Sequence, residues 1–146
     1  MSDCSPKTPV EQATKPFFAG VDVGGTNIKL GIVDDTGRSL VQRSIPTEEE
    51  RGPVDAMQRV ANELRQMRQE ASLNADDVVA VGLATPGTME IAHGMLLQPH
   101  NLPHWWNFKI QKCLQDTCGK PVAYANDANA AAFGEFWVGS GSDYHS

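Results

Sequence analysis

Two short stretches carry residue types that could do chemistry. The first is Val122-Ala123-Tyr124-Ala125-Asn126-Asp127, continued by Ala128-Asn129-Ala130-Ala131-Ala132. An apolar run of β character meets an Asn-Asp pair, and an alanine-rich run of helix character follows. That order predicts strand, sharp turn and helix, with Asp127 at or near the helix start. A carboxylate just beyond the carboxyl end of a strand faces the region where open α/β sheets gather ligands. There it would face any ligand held at that end of the sheet. Either residue would also serve as a plain helix cap.

The second stretch is Asp22-Val23-Gly24-Gly25-Thr26-Asn27. Two glycines let a backbone take left-handed angles and bring its N–H groups close to an anion such as phosphate. Thr26 and Asn27 add side-chain donors, and Asp22 could hold a hydrated magnesium ion. The Gly-Lys-Ser/Thr ending of a P-loop is absent, and so is the G-x-G-x-x-G dinucleotide fingerprint. The alternative is an ordinary Gly-Gly hairpin. His93, His100 and His104 stand isolated in a loop and read as surface or hydrogen-bonding residues before they read as ligands. Trp105 and Trp106 could stack on a ligand ring, or at least one of them could wedge the loop against the sheet. Glu135, about two helical turns beyond Asp127, reads as a structural anchor.

These residues need elements to hold them. Phe17 to Val23 is an apolar strand, Asn27 to Val33 alternates, and Ser39 to Ile45 is a third strand after the Asp34-Asp35-Thr36-Gly37 loop. Such tight turns predict an antiparallel meander. Pro53 opens a helix to about Ala71, with Val54, Met57, Val60, Ala61, Leu64, Met67 and Ala71 as its buried stripe. Asp55 and Arg59, four apart, can pair on its surface. Val78 to Ala84 reads as a strand covered on both faces. Short strands near Met89–Ile91 and Met95–Leu97 could flank a turn. Phe108 to Thr117 is a predicted helix ended by Gly119, and Pro121 to Ala125 is the last strand before a helix from Ala128 to about Val138. Residues 1–16 read as a disordered tail, 17–139 as one lobe and 140–146 as a polar tail.

The chain has 146 residues and a net charge of −6, enough length for one domain with a real core and a poor balance for binding nucleic acid. It shows no membrane-length apolar run and no signal-peptide pattern. Cys4, Cys113 and Cys118 fit neither a disulfide framework nor a usual zinc spacing, so they are read as free thiols in a cytoplasmic protein.

Four segments, GVDVGGTNIKLGIVDDTG, VGLATPG, NLPHWWNF and NDANAAAFGE, occur in this order over about Phe18 to Gly139. The set resembles the bacterial ROK family of sugar kinases and repressors, and within it the glucokinases. The resemblance implies an α/β fold of the actin-like (ribonuclease H-like) ATPase type, with two lobes and a cleft. It implies ATP with Mg2+ as cofactors. Asp22, Gly24, Gly25, Thr26, Asn27 and Lys29 would contact the nucleotide phosphates, with Asp22 on the magnesium through water. Asp127 would be the catalytic base, Asn126 a sugar-hydroxyl ligand, Gly87 a backbone approach to the sugar and Asn101 a wall of its pocket. A sugar and ATP would be the partners, with no nucleic acid or membrane, and the whole protein would be a homo-oligomer.

The family continues into a second lobe with another glycine-rich loop, the adenosine pocket and a Cys-rich zinc motif. Those segments are not in these 146 residues, so the chain is expected to be the N-terminal part of an ATP-dependent glucokinase, inactive by itself. Other readings are a kinase for N-acetylglucosamine or fructose, a sugar-sensing repressor, or a lobe that only binds.

Overall fold

The computed structural model describes residues 13, 15–85, 89–90, 93–98 and 102–126, with the backbone alone at 89, 125 and 126. In chain order the elements are strands β1 (Phe17–Val23), β2 (Asn27–Val33) and β3 (Ser39–Pro46), helix α1 (Pro53–Glu70), strand β4 (Val78–Thr85), the short strands β5 (Met89–Glu90) and β6 (Met95–Leu96), helix α2 (Ile110–Cys118) and strand β7 (Val122–Asn126). The five-stranded sheet runs β3-β2-β1-β4-β7, and β5 pairs with β6 apart from it. β1, β2 and β3 are the antiparallel meander, while β4 lies parallel to both β1 and β7. The predicted helix after Asp127 lies outside the described residues.

Strand order has one consequence for function. The carboxyl ends of β1, β4 and β7 lie side by side at one edge, with Asp22 in register with Ala84 and Thr85 with Asn126. In an open α/β sheet that edge is where ligands bind.

The core forms where side-chain period meets sheet geometry. On β2, Ile28, Leu30 and Ile32 are buried while Asn27 and Lys29 are exposed. α1 lays Ala56, Met57, Val60, Ala61, Leu64 and Met67 against the sheet. Each large apolar side chain buried in this way stabilises the fold by roughly 1.5–3 kcal/mol. Val54, placed in the stripe by its spacing, is 51% exposed, and Ala56 faces inward instead. The packed stripe of the helix starts at Ala56. Arg43 of β3 ties the helix down further, donating to Glu63 at 3.0 Å and to Glu70 at 2.6 Å. The bond to Glu70, then that to Glu63, raises the Arg43 pKa.

α2 begins at Ile110 rather than Phe108, because the Phe108 backbone is paired with Leu96 as a β-bridge. Its end is as expected: Gly119 takes φ 74° and donates to the Gln115 carbonyl at 2.9 Å. Ala13, ahead of Phe17, packs against the core, and Lys15 pairs with Asp77 at 3.4 Å. No helix among the described residues is long and apolar enough to cross a membrane.

Candidate active site

The turn between β1 and β2 is held from outside. Its Gly24 N–H donates to the Asn27 carbonyl at 2.9 Å, and the Thr26 carbonyl accepts the Thr47 N–H at 2.8 Å. The Thr47 hydroxyl donates to the Gly24 carbonyl at 2.7 Å. A side chain on residue 24 would not fit, since its Cβ would meet the Asn27 carbonyl oxygen at 2.9 Å. The left-handed backbone expected at the two glycines is absent. Among the described glycines, φ is positive at Gly37, Gly52, Gly94 and Gly119, and not at Gly24 or Gly25. Glycine is needed at 24 for close approach of two backbone segments, not for an unusual angle.

That arrangement decides what the turn can offer. A trans peptide is planar, so its C=O and N–H point in opposite directions. Fixing the Gly24 carbonyl on Thr47 turns the Gly25 N–H the other way. Thr26 and Asn27 beside it are exposed. The turn can offer an anion a backbone donor directed away from Thr47, room beside small residues, and hydroxyl and amide side chains within the same few residues. Lys29 is exposed and stands in register with half-buried Asp22 across β1 and β2, so both lie on one face of the sheet.

The ends of β4 and β7 are tied to each other. The Thr85 and Tyr124 hydroxyls share a buried hydrogen bond of 2.8 Å. Burial, partly offset by that bond, pushes the Tyr124 pKa up to about 12. The loop before α2 has its own anchor. Glu49 accepts from the His104 N–H and lies 2.7 Å from His104 Nδ1, and its carbonyl accepts the Trp105 indole N–H at 3.0 Å. Trp105 is fully buried and Trp106 is 47% exposed. One tryptophan is thus the structural wedge.

Of the predicted site residues, the structure brings Asp22, Gly24, Gly25, Thr26, Asn27 and Lys29 together around one turn. Asn126 ends β7 beside Thr85, at the same sheet edge. Gly87, Asn101, His100 and Asp127 lie outside the described residues. His93 pairs with Glu90 at 2.9 Å, an exposed contact. Among the described residues no three His, Cys, Asp or Glu side chains gather as a metal site would require. Cys113 and Cys118 are free thiols, and burial raises the pKa of each, which disfavours the reactive thiolate. Sequence reasoning missed Thr47 and Arg59, which hold the turn. Arg59 does pair with Asp55 at 2.8 Å as spaced, but it also donates to the carbonyls of Pro46 and Thr47.

A mixed sheet with this strand order, flanking helices and a glycine turn at the carboxyl edge is the actin-like ATPase fold of sugar kinases. The structure matches a ROK hexokinase from Thermus thermophilus with TM-score 0.70 and 34% identity, over 82% of this chain and 38% of that one. It matches a ROK glucokinase from Streptomyces griseus, solved with glucose and AMPPNP, with TM-score 0.70 and 29% identity over 86% and 38%. The model of the ROK family matches residues 18–146, and the chain belongs to that family. In sequence it is 32% identical over 125 residues to a glucokinase of Halalkalibacterium halodurans, covering 86% of this chain. It spans 38% of that relative's length.

Proposed function

We propose that these residues form the phosphate-contacting lobe of an ATP-dependent sugar kinase that phosphorylates glucose at its 6-hydroxyl. The observation that carries this reading is the Gly24-Gly25-Thr26 turn at the carboxyl edge of β1, beside the ends of the strands that lead to Gly87 and Asp127. The same edge in the Streptomyces griseus relative belongs to a protein that binds glucose and AMPPNP. ATP with magnesium supplies the transferable phosphoryl group and spreads its charge. This chain's residues supply one wall around it. The turn would donate the Gly25 N–H to a phosphate oxygen, Lys29 would add positive charge, and Asp22 would hold the magnesium. Asn126 orients the sugar hydroxyl and Asp127 accepts its proton during attack. Gly87 and Asn101 line the sugar.

Phosphoryl transfer needs charge stabilisation from several sides in a site that excludes water. These 146 residues provide one wall. The test is a coupled assay with ATP, magnesium and glucose on the chain alone and on the chain joined to the second lobe of a ROK glucokinase. Turnover is expected only from the second, and Asp127→Asn should lower it by a factor on the order of 10² or more. Unchanged turnover with lower stability would make Asp127 a helix cap. Higher kcat/KM for fructose, N-acetylglucosamine or another sugar than for glucose would reassign the substrate within the family.

A further inference from the structure

Resting on the phosphate reading of the Gly24-Gly25-Thr26 turn, we propose that Thr47 is a positioning residue for that turn and that Arg59 holds Thr47 in place. Thr47 is fully buried although it carries a hydroxyl. Both of its donors go to carbonyls of the turn, the hydroxyl to Gly24 at 2.7 Å and the N–H to Thr26 at 2.8 Å. Its own carbonyl accepts Arg59 Nη2 at 2.6 Å, while Nη1 takes the Pro46 carbonyl at 2.7 Å. The guanidinium is completed by Asp55 on Nε at 2.8 Å, and that bond lowers the Asp55 pKa. A chain of contacts therefore runs from α1 through Arg59 and Thr47 to the peptide that aims the Gly25 N–H.

The next residue supports the same reading. Glu48 has φ 51°, left-handed backbone that residues other than glycine seldom adopt. Such a conformation persists when its neighbours over-determine it. Here Thr47 is fixed by the turn and by Arg59 on one side, and Glu49 by His104 and Trp105 on the other. Without the Thr47 hydroxyl, the Gly24 carbonyl loses its anchor and the Gly25 N–H its direction.

The test is a titration of the 15N-labelled 146-residue chain with magnesium tripolyphosphate, read at the Gly25 and Thr26 amides, with a thermal melt of each variant. Thr47→Val keeps the shape and removes the hydroxyl; Thr47→Ser keeps the hydroxyl. The loss of one positioned donor weakens binding by a factor on the order of ten, and Thr47→Ser should restore it to within about threefold. If Thr47→Val does not fold, Arg59→Gln frees Thr47 from the helix and should weaken binding in the same direction. A folded Thr47→Val, or in its place a folded Arg59→Gln, that binds like the unaltered chain overturns the inference and leaves the phosphate reading standing. No response at Gly25 and Thr26 in the unaltered chain overturns the phosphate reading, and this inference with it.

Discussion

The two turns of the meander are built from nearly the same residues and spend them differently. Between β2 and β3, the Asp34 carboxylate is fully buried and accepts the Thr36 N–H at 2.9 Å, the Thr36 hydroxyl at 2.7 Å and the Arg38 N–H at 2.9 Å. Arg38 Nε adds a fourth bond at 3.2 Å, and Gly37 supplies the left-handed residue at φ 87°. This turn consumes its own donors. Between β1 and β2, the carbonyls of Gly24 and Thr26 go to Thr47, a residue from another strand end. A turn closed by its own side chains is a finished structural joint. A turn braced from behind through its carbonyls keeps an N–H for a ligand. Composition alone does not separate the two; what separates them is where the hydrogen bonds go.

Substitutions can break that contrast. The largest effect is expected from Gly24→Val. A Cβ there meets a backbone oxygen, so phosphate binding should fall by more than about tenfold and stability by roughly 1–3 kcal/mol. Isothermal calorimetry with magnesium tripolyphosphate and urea unfolding would measure both. Gly25 does not have positive φ, so Gly25→Val carries no backbone strain of that kind. Next comes Asp34→Ala, which strips at least these four bonds from the closed turn. It should cost about 2–3 kcal/mol in denaturant unfolding while leaving phosphate affinity within about twofold. A large affinity loss there would mean that the two turns are not independent.

Smaller effects sharpen the account at the other strands. Tyr124 is neutral when protonated, and its folded pKa is raised above the unfolded value. Its contribution is therefore complete below about pH 10 and is lost as pH rises towards about 12. Tyr124→Phe should cost about 1 kcal/mol near neutral pH and remove the highest step of tyrosinate absorbance. Smallest of all, Lys112→Ala breaks an exposed pair with Asp116 and should change stability by less than about 0.5 kcal/mol.

Much of this was legible in the sequence, for identifiable reasons. β1 and β2 were bounded by a Gly-Gly-Thr break and an Asp-Gly loop, and alternation on Ile28, Leu30 and Ile32 set the buried face. The turn stood out as a candidate because small residues and donors in a row are what phosphate contact would need. What was not legible depended on tertiary partners. Thr47 reads as one polar residue after a strand, and nothing local says that its hydroxyl serves a turn on another strand. Arg59 reads as half of an i,i+4 pair, which it is, while its grip on Pro46 and Thr47 depends on how α1 lies against β3. Val54 misled because its spacing matched the stripe, yet the buried face of the helix begins only at Ala56. The glycine argument failed in the same manner: Gly24 is required by the distance to Asn27, which no dihedral preference reports.

The central claim is that the β1–β2 turn receives phosphate and the β2–β3 turn does not. An amide shift map of the 15N-labelled chain titrated with magnesium AMPPNP tests it most directly. The account predicts dose-dependent changes at Gly25, Thr26 and Asn27, with millimolar affinity, and none at Thr36, Gly37 and Arg38. Equal movement of both turns, or movement confined to residues 34–38, would contradict it.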